Sequence, residues 1–194
     1  MTSGSPTDRE VIERCLAGQP DEFRELIERY QGRVYNLLMR ILRNSEAAEE
    51  MTQEAFLQSY LHLGDYKHQY RFSSWLFKIA QNLAFNQLRK ARLSTVSIEG
   101  DEAAGGAHQL SDSGIIPRPQ AEAEQHELRQ ILEETFDTLS SKYRAAVVLR
   151  HNEGLSYKEI SEVLAIPVGT VKFRLHRAYR MLKEKLERRE VHLG

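Results

Sequence analysis

The chain has 194 residues, of which 28% are charged, and a formal net charge of −1. Its single cysteine, Cys15, excludes an intramolecular disulfide and a cysteine-based metal site. No apolar stretch approaches the ~20 residues of a membrane-spanning helix, and the first ten residues lack the apolar segment of a secretory signal. We therefore predict a soluble, cytoplasmic protein that does not insert into a membrane.

Charge is distributed unevenly along the chain. Residues 1–92 carry 13 Lys/Arg and 12 Asp/Glu, a net charge of +1. Residues 93–124 carry 1 and 6, a net charge of −5, and residues 125–194 carry 13 and 10, a net charge of +3. The near-neutral total therefore conceals an acidic middle and a basic C-terminal part, which is compatible with a local nucleic-acid-binding surface.

Helical periodicity dominates the first ninety residues. A short helix is predicted from Asp8 to Ala17, followed by a long helix capped by Asp21. The long helix has apolar residues at helical spacing: Phe23, Leu26, Ile27, Tyr30, Val34, Leu37, Leu38 and Ile41. A third helix is capped at Asn44–Ser45 and ends at Gly64. Its apolar residues are Met51, Ala55, Phe56, Tyr60 and Leu61.

The segment from Gly64 to Phe72 is a predicted loop rich in aromatic and cationic residues. These residues are Tyr66, Lys67, His68, Tyr70 and Arg71. Flat rings interleaved with positive charge bind unstacked bases. The alternative is that the tyrosines attach the loop to the core, and composition favours neither interpretation.

A fourth helix is predicted from Trp75 to about Arg92, capped by Ser73 or Ser74. Its inward residues are Trp75, Leu76, Ile79, Leu83 and Leu88, and its polar residues are Lys78, Asn82, Asn86, Arg89, Lys90 and Arg92. The spacing of Trp75 with the apolar residues favours a core position over base stacking. Residues 93–124 then lose helical periodicity and resemble a flexible acidic linker.

The C-terminal part is predicted to contain four helices. One runs from Gln125 to Leu139 and a second starts at Ser140 or Ser141. Residues 155–182 then have the pattern of a helix-turn-helix. Ser156 and Glu159 are spaced as a capping box at its first helix, and the turn is Ala165-Ile166-Pro167, in which proline favours the start of the next helix.

The second helix of this motif has two different faces. Its apolar residues share one side: Val171, Leu175, Ala178 and Leu182. The opposite side is mainly cationic, with Lys172, Phe173, His176, Arg177, Arg180 and Lys183. Such a helix suits the DNA major groove, whereas a solvated surface helix is the alternative. The preceding capped helix and short turn favour DNA recognition.

Four segments, in this order, resemble the extracytoplasmic-function (ECF) sigma factors of the bacterial sigma-70 family, particularly the sigma-W-like subgroup. They read DEFRELIERY, EAAEEMTQEAFLQSY, FSSWLFKIAQNLAFNQLRK and LSSKYRAAVVLRHNEGLSYKEISEVLAIPVGTVKFRLHRA. The resemblance covers about residues 10–92 and 125–186. It implies an all-α fold with two small helical domains joined by a flexible linker. These are a sigma-2 domain at 8–92, a linker at 93–124, and a sigma-4 domain at 125–189 with its helix-turn-helix at 155–182.

The resemblance also assigns roles to residues. Those implied to dock on the β′ coiled coil of core RNA polymerase are Glu49, Glu50, Gln53, Glu54 and Phe56; the family commonly has Asp where this chain has Glu50. The residues implied to bind DNA at the promoter −10 element are Tyr66, His68, Tyr70, Arg71, Lys78, Asn82, Asn86, Arg89 and Lys90. The residues implied to bind DNA at the promoter −35 element are Thr170, Lys172, Phe173, Arg174, His176, Arg177 and Arg180.

Further partners follow from the same resemblance: the polymerase β flap, contacted by the sigma-4 domain, and an anti-sigma factor, through which the cytoplasmic protein could be held at the membrane. No cofactor, metal or catalytic residue is implied.

Two other classes of protein compete with this interpretation. A stand-alone helix-turn-helix regulator with an N-terminal sensing domain would not need WLFKIAQNLAFNQLRK. A helical enzyme is disfavoured, because the chain has no glycine-rich phosphate loop and no HExxH motif.

Overall fold

The computed structural model describes residues 5–96 and 132–193, and the side chains of residues 5–93 and 132–188. These two ranges contain helices and no strand, which confirms the predicted all-α fold class. The helices are α1 Asp8–Leu16, α2 Phe23–Leu42, α3 Ser45–Leu61, α4 Phe72–Val96, α5 at residues 132–137, α6 Ser141–His151, α7 Tyr157–Leu164 and α8 Val168–Leu193. The predicted linker and the predicted start of α5 at Gln125 lie outside the described residues.

Helices α2, α3 and α4 form the core of the N-terminal half, and α1 packs on α2. The apolar side of α2 is fully buried at Leu26, Val34, Leu37 and Leu38, as its spacing predicted. The hydroxyl of Tyr30 donates to a carboxylate oxygen of Asp8 at 2.5 Å. Burial and that carboxylate both raise the pKa of Tyr30, so the phenol remains a donor that attaches α1 to α2.

Two boundaries differ from the sequence-based prediction. Helix α4 begins at Phe72 rather than Trp75, so Ser73 and Ser74 lie inside its first turn and do not cap it. The reason is tertiary: Phe72 is buried and its ring packs against the rings of Tyr30 and Tyr66. Helix α3 ends at Leu61, three residues before Gly64.

The helix-turn-helix forms as predicted at α7 and α8. Ala165 ends α7 in the left-handed conformation, with φ of 51°, and Pro167 precedes α8. Val171, Leu175 and Ala178 are buried against α6 and α7. The apolar face of α8 is therefore used for packing, which leaves its cationic face outward.

Ser156 and Glu159 form the predicted capping box: the Glu159 amide donates to Ser156 Oγ at 3.2 Å, and the Ser156 amide donates to Glu159 Oε2 at 2.8 Å. We expect Ser156→Ala to lower the free energy of unfolding by about 1 kcal/mol, because the Glu159 amide loses its partner. Urea unfolding followed by circular dichroism measures this. Ser140→Ala is the matched control, since Ser140 precedes α6 without a side-chain cap. Equal losses in both variants would contradict the capping argument.

The two halves of the chain pack against each other, α6 on α2 and α7 on α4. Arg144 of α6 is buried, with 6% of its surface exposed. Its guanidinium donates to the backbone carbonyls of Arg40 at 2.6 Å and Ile41 at 3.3 Å, in the last turn of α2. It also donates to the carbonyls of Asp137, the last residue of α5, and of Leu139, two residues beyond it. One side chain therefore joins the C-terminal ends of two helices, where the backbone dipoles favour a cation.

Candidate nucleic-acid interface

The first part of the candidate interface is the outer face of α8. Lys172, Phe173, His176, Arg177 and Arg180 are all exposed. Thr170 and Arg174 lie at the edge of this face and are half-buried; burial lowers the pKa of Arg174. The structure thus brings all seven residues predicted for this helix to one side. Phe173 is 63% exposed, and so it adds an apolar surface among the cations.

The second part is the loop before α4. The sequence left two roles open for its aromatic residues, base stacking or attachment to the core, and the two roles fall to different side chains. The ring of Tyr66 packs 5.4 Å from that of Trp75, and its hydroxyl donates to the Tyr70 carbonyl at 2.5 Å. Tyr66 is half-buried and burial raises its pKa, so this tyrosine attaches the loop to the core. His68, Tyr70 and Arg71 are exposed, although Arg71 Nη1 also lies 3.8 Å from Glu159 Oε1 of α7.

Helix α4 continues this surface. Lys78, Asn82, Asn86, Arg89 and Lys90 are exposed, and their spacing of three or four residues places them on one side. Within this face, Arg89 donates to Asn86 Oδ1 at 3.1 Å, and Gln81 donates to Asn82 Oδ1 at 2.5 Å. Two amide groups, of Asn82 and Asn86, therefore lie between the cation of Lys78 and those of Arg89 and Lys90, a combination suited to contacts with both bases and phosphates.

A cavity of about 390 Å³ lies where the loop and α4 meet the C-terminal half. Tyr70, Trp75 and Lys78 line one wall, and residues of α7 with Ala165 line the other. Trp75 is half-buried and has a face on this cavity as well as on the core. The prediction of a core position thus describes only part of its environment.

Helix α3 carries a third surface of different chemistry. Glu49, Glu50 and Gln53 are exposed, and Glu54 is half-buried and accepts from Gln58 at 2.8 Å. Phe56 is only 6% exposed. Its ring belongs to the core of the N-terminal half, so it presents little surface to a partner in this arrangement, and its docking role stays a prediction.

Two leucines extend the α3 surface and were not predicted. Leu57 is 52% and Leu61 63% exposed, so Leu61, one of the apolar residues noted for this helix in the sequence, lies outside the core. From Glu50, the residues 53, 57 and 61 follow at intervals of three and four. This spacing was the signal that could have identified them. We call Glu49, Glu50, Gln53, Leu57 and Leu61 the α3 face.

No group of three or more His, Cys, Asp or Glu side chains that could hold a metal ion occurs in the described part of the chain. Within the same residues, no helix is both long and apolar enough to cross a membrane.

Comparison with known proteins identifies the protein family to which the chain belongs. The family "Sigma-70 region 2" matches residues 26–93, and "Sigma-70, region 4" matches residues 129–182. SigW, an ECF RNA polymerase sigma factor of Bacillus subtilis, is 33% identical over 178 residues, covering 90% of this chain and 94% of the relative. The Escherichia coli K12 ECF sigma-E factor is 31% identical, covering 93% of this chain and 95% of the relative. The chain therefore belongs to the ECF RNA polymerase sigma factors, the alternative sigma factors that direct transcription initiation.

Two solved structures share the fold. The sigma factor RpoE from Bartonella quintana, solved with the anti-sigma factor NepR, aligns with a TM-score of 0.70 at 20% identity, over 86% of this chain and 97% of that one. CnrH, solved with the cytosolic domain of CnrY, aligns with a TM-score of 0.63 at 20% identity, over 93% and 97%. At this identity the likeness concerns the fold alone.

Proposed function

We propose that the chain is a dissociable, non-catalytic subunit of bacterial RNA polymerase that acts in the cytoplasm. The α3 face docks on the β′ coiled coil, the loop and α4 bind the −10 element, and α8 reads the −35 element. Residues 8–92 and 125–189 act as separate domains tethered by 93–124. The observation that carries the proposal is the presence of two exposed basic faces, on α4 and α8, in one chain with an acidic and apolar α3 face.

At the −35 element, α8 lies in the major groove. Lys172 and Arg177 suit the acceptors of guanine, and Phe173 suits a thymine methyl group. Thr170, Arg174 and Arg180 lie toward the sugar-phosphate backbone. His176 is exposed between these groups.

At the −10 element, the protein binds a separated strand. Extruding a base costs a few kcal/mol of stacking and pairing. His68 and Tyr70 supply exposed rings that replace the stacking, and Asn82 supplies amide groups for a base edge. Lys78, Arg89 and Lys90 then neutralise phosphates along α4.

Regulation by an anti-sigma factor belongs to the same proposal. Two proteins of this fold were solved with a partner, NepR in one case and the cytosolic domain of CnrY in the other. We propose a partner of this kind for the present chain. A membrane-bound partner would hold the chain at the membrane, and the β flap of polymerase would contact the sigma-4 domain.

The test is transcription with the purified chain and core polymerase on a genomic library, with start sites mapped. A two-block motif upstream of the starts supports the proposal. Failure to bind core polymerase at any salt concentration contradicts it. Tight binding of an operator by the free chain, without polymerase affinity, would instead identify a stand-alone regulator.

Arg177→Ala is expected to weaken −35 recognition by about 1–3 kcal/mol and to relax preference at one or two base pairs, because a base contact is lost. Transcription from a library of −35 variants measures this. Arg180→Ala is the control, since loss of a phosphate contact lowers binding to all sequences and reduces the salt slope by about 1. An equal fall at every promoter with Arg177→Ala would refute the base contact.

A further inference from the structure

The loop before α4 is held at both of its ends by the first two helices. At its start, the turn at Leu63–Asp65 contacts α1, and Leu63 is buried. At its end, the ring of the buried Phe72 lies 5.6 Å from the ring of Tyr30 on α2. The backbone on either side of the exposed loop residues therefore depends on how α1 sits on α2.

Asp8 of α1 fixes the polar end of this support. One of its carboxylate oxygens accepts from the Tyr30 hydroxyl at 2.5 Å, and the other accepts from Arg29 Nη1 at 2.8 Å. The side chains of Asp8 and Arg29 are 27% and 26% exposed, and Tyr30 is buried. Because hydrogen bonds to an ionised acceptor are stronger than neutral ones, this carboxylate fixes the orientation of the Tyr30 ring.

Phe72 connects Tyr30 to Tyr66, in the middle of the loop. The ring of Phe72 lies 5.8 Å from that of Tyr66. Tyr66 in turn contacts two exposed residues of the loop. Its ring lies 5.2 Å from that of His68, and its hydroxyl donates to the backbone carbonyl of Tyr70. A displacement of Tyr66 therefore moves His68 and the backbone of Tyr70 together.

We propose that Asp8 and Tyr30 are positioning residues for this loop: without contacting DNA, they set where His68 and Tyr70 lie, and thereby which −10 sequences the protein prefers. This inference rests on the proposed function, and it adds specificity-determining residues on α1 and α2. A binding site needs packed and hydrogen-bonded side chains behind it to hold the contacting groups within about 0.5 Å of their productive positions. The contacts from Asp8 through Tyr30 and Phe72 to Tyr66 provide such a support.

The support depends on two phenol groups that donate hydrogen bonds, and both stay protonated. Burial raises the pKa of Tyr30 and of Tyr66, and the negative charge of Asp8 raises both further. The Tyr30 hydroxyl therefore remains a donor to Asp8, and the Tyr66 hydroxyl remains a donor to the Tyr70 carbonyl.

Tyr30→Phe, Asp8→Ala and the double variant test this on the full chain with core polymerase. Tyr30→Phe removes one hydroxyl and keeps the ring, so it remains informative if Asp8→Ala disturbs α1. Transcription from a library of −10 variants with a fixed −35 element, and from the converse library, measures the two preferences separately. Glu13→Ala is the matched control, because it removes an acid of α1 that pairs with the exposed Arg9.

A second readout needs no polymerase. Trp75 is the only tryptophan of the chain, and its ring lies 5.8 Å from that of Phe72 and 5.4 Å from that of Tyr66. Quenching of its fluorescence by acrylamide therefore reports on the packing of these rings. Circular dichroism verifies that each variant is folded.

For each single variant we expect about a fivefold change in the ratio of transcription between the most and least preferred −10 sequences, as for the loss of one hydrogen bond. The −35 preference should stay unchanged. The double variant should change the ratio no more than either single variant, because both remove the same contact. Quenching of Trp75 should rise in all three variants and keep its wild-type value in Glu13→Ala.

An equal fall in transcription across both libraries would overturn the inference, because it would show that Asp8 and Tyr30 only stabilise the fold. Wild-type −10 preference and wild-type quenching in folded Tyr30→Phe would also overturn it. Failure of the wild-type chain to bind core polymerase would refute the proposed function and this inference together, whereas an active chain with unchanged −10 preference refutes the inference alone.

Discussion

Glu50→Lys together with Gln53→Ala is expected to abolish binding of core RNA polymerase. The two side chains are exposed one turn apart on α3, where an acidic and apolar face meets the proposed β′ coiled coil. Reversing a charge at an interface costs several kcal/mol, and the lost amide removes a hydrogen-bonding group beside it. Native gel shift or co-purification with core polymerase measures the effect.

The chain offers a matched control for this variant. Glu28 and Gln31 on α2 are also exposed and have the same spacing, so Glu28→Lys with Gln31→Ala makes the same charge change elsewhere. Glu28 forms only an exposed i,i+4 pair with Arg24, which contributes little to stability. We expect this control to bind polymerase normally and both variants to keep the wild-type circular dichroism. Holoenzyme formation by the α3 variant would refute the docking face.

Arg144→Met is expected to lower the free energy of unfolding by about 3 kcal/mol, because buried carbonyls of two helix ends lose their donor. Four backbone carbonyls accept from this guanidinium, of Arg40, Ile41, Asp137 and Leu139. Burial lowers the pKa of Arg144, which reflects the cost of holding the charge there. Urea unfolding monitored by circular dichroism gives the loss.

Two further variants separate geometry from charge. Arg144→Lys keeps the charge but has no planar set of five donors, so we expect it to recover less than half of the loss. Arg150→Met removes an exposed arginine of the same helix that donates to one carbonyl, of Leu155, at 2.9 Å. A loss in Arg150→Met as large as that in Arg144→Met would contradict the role given to the buried guanidinium.

Local features of this fold could be predicted because their causes lie within a few residues. The capping box of Ser156 and Glu159, the Asn44 cap of α3, and the two faces of α8 all depend on neighbours one turn away. The four segments that resemble the family could be recognised in the sequence for the same reason, since each is a short continuous stretch of chain.

The sequence predicts the burial of individual side chains less well where a helix has apolar residues on more than one side. On α3, Phe56 and Leu57 are adjacent apolar residues, and only packing against α2 and α4 decides that the phenylalanine is buried and the leucine exposed. Likewise, Tyr66 and Tyr70 are equivalent in composition, but the position of Phe72 and Trp75 gives one a core partner and leaves the other exposed.

By itself, the sequence determined the helices, the family and the basic faces of α4 and α8, since periodicity and capping act over three or four residues. Only the tertiary structure decided that α7 faces α4, that Arg144 joins the ends of α2 and α5, and that Arg33 meets Glu153. These contacts join residues about a hundred positions apart, and their stability depends on how much charge and backbone the packed halves bury together, which no local pattern encodes.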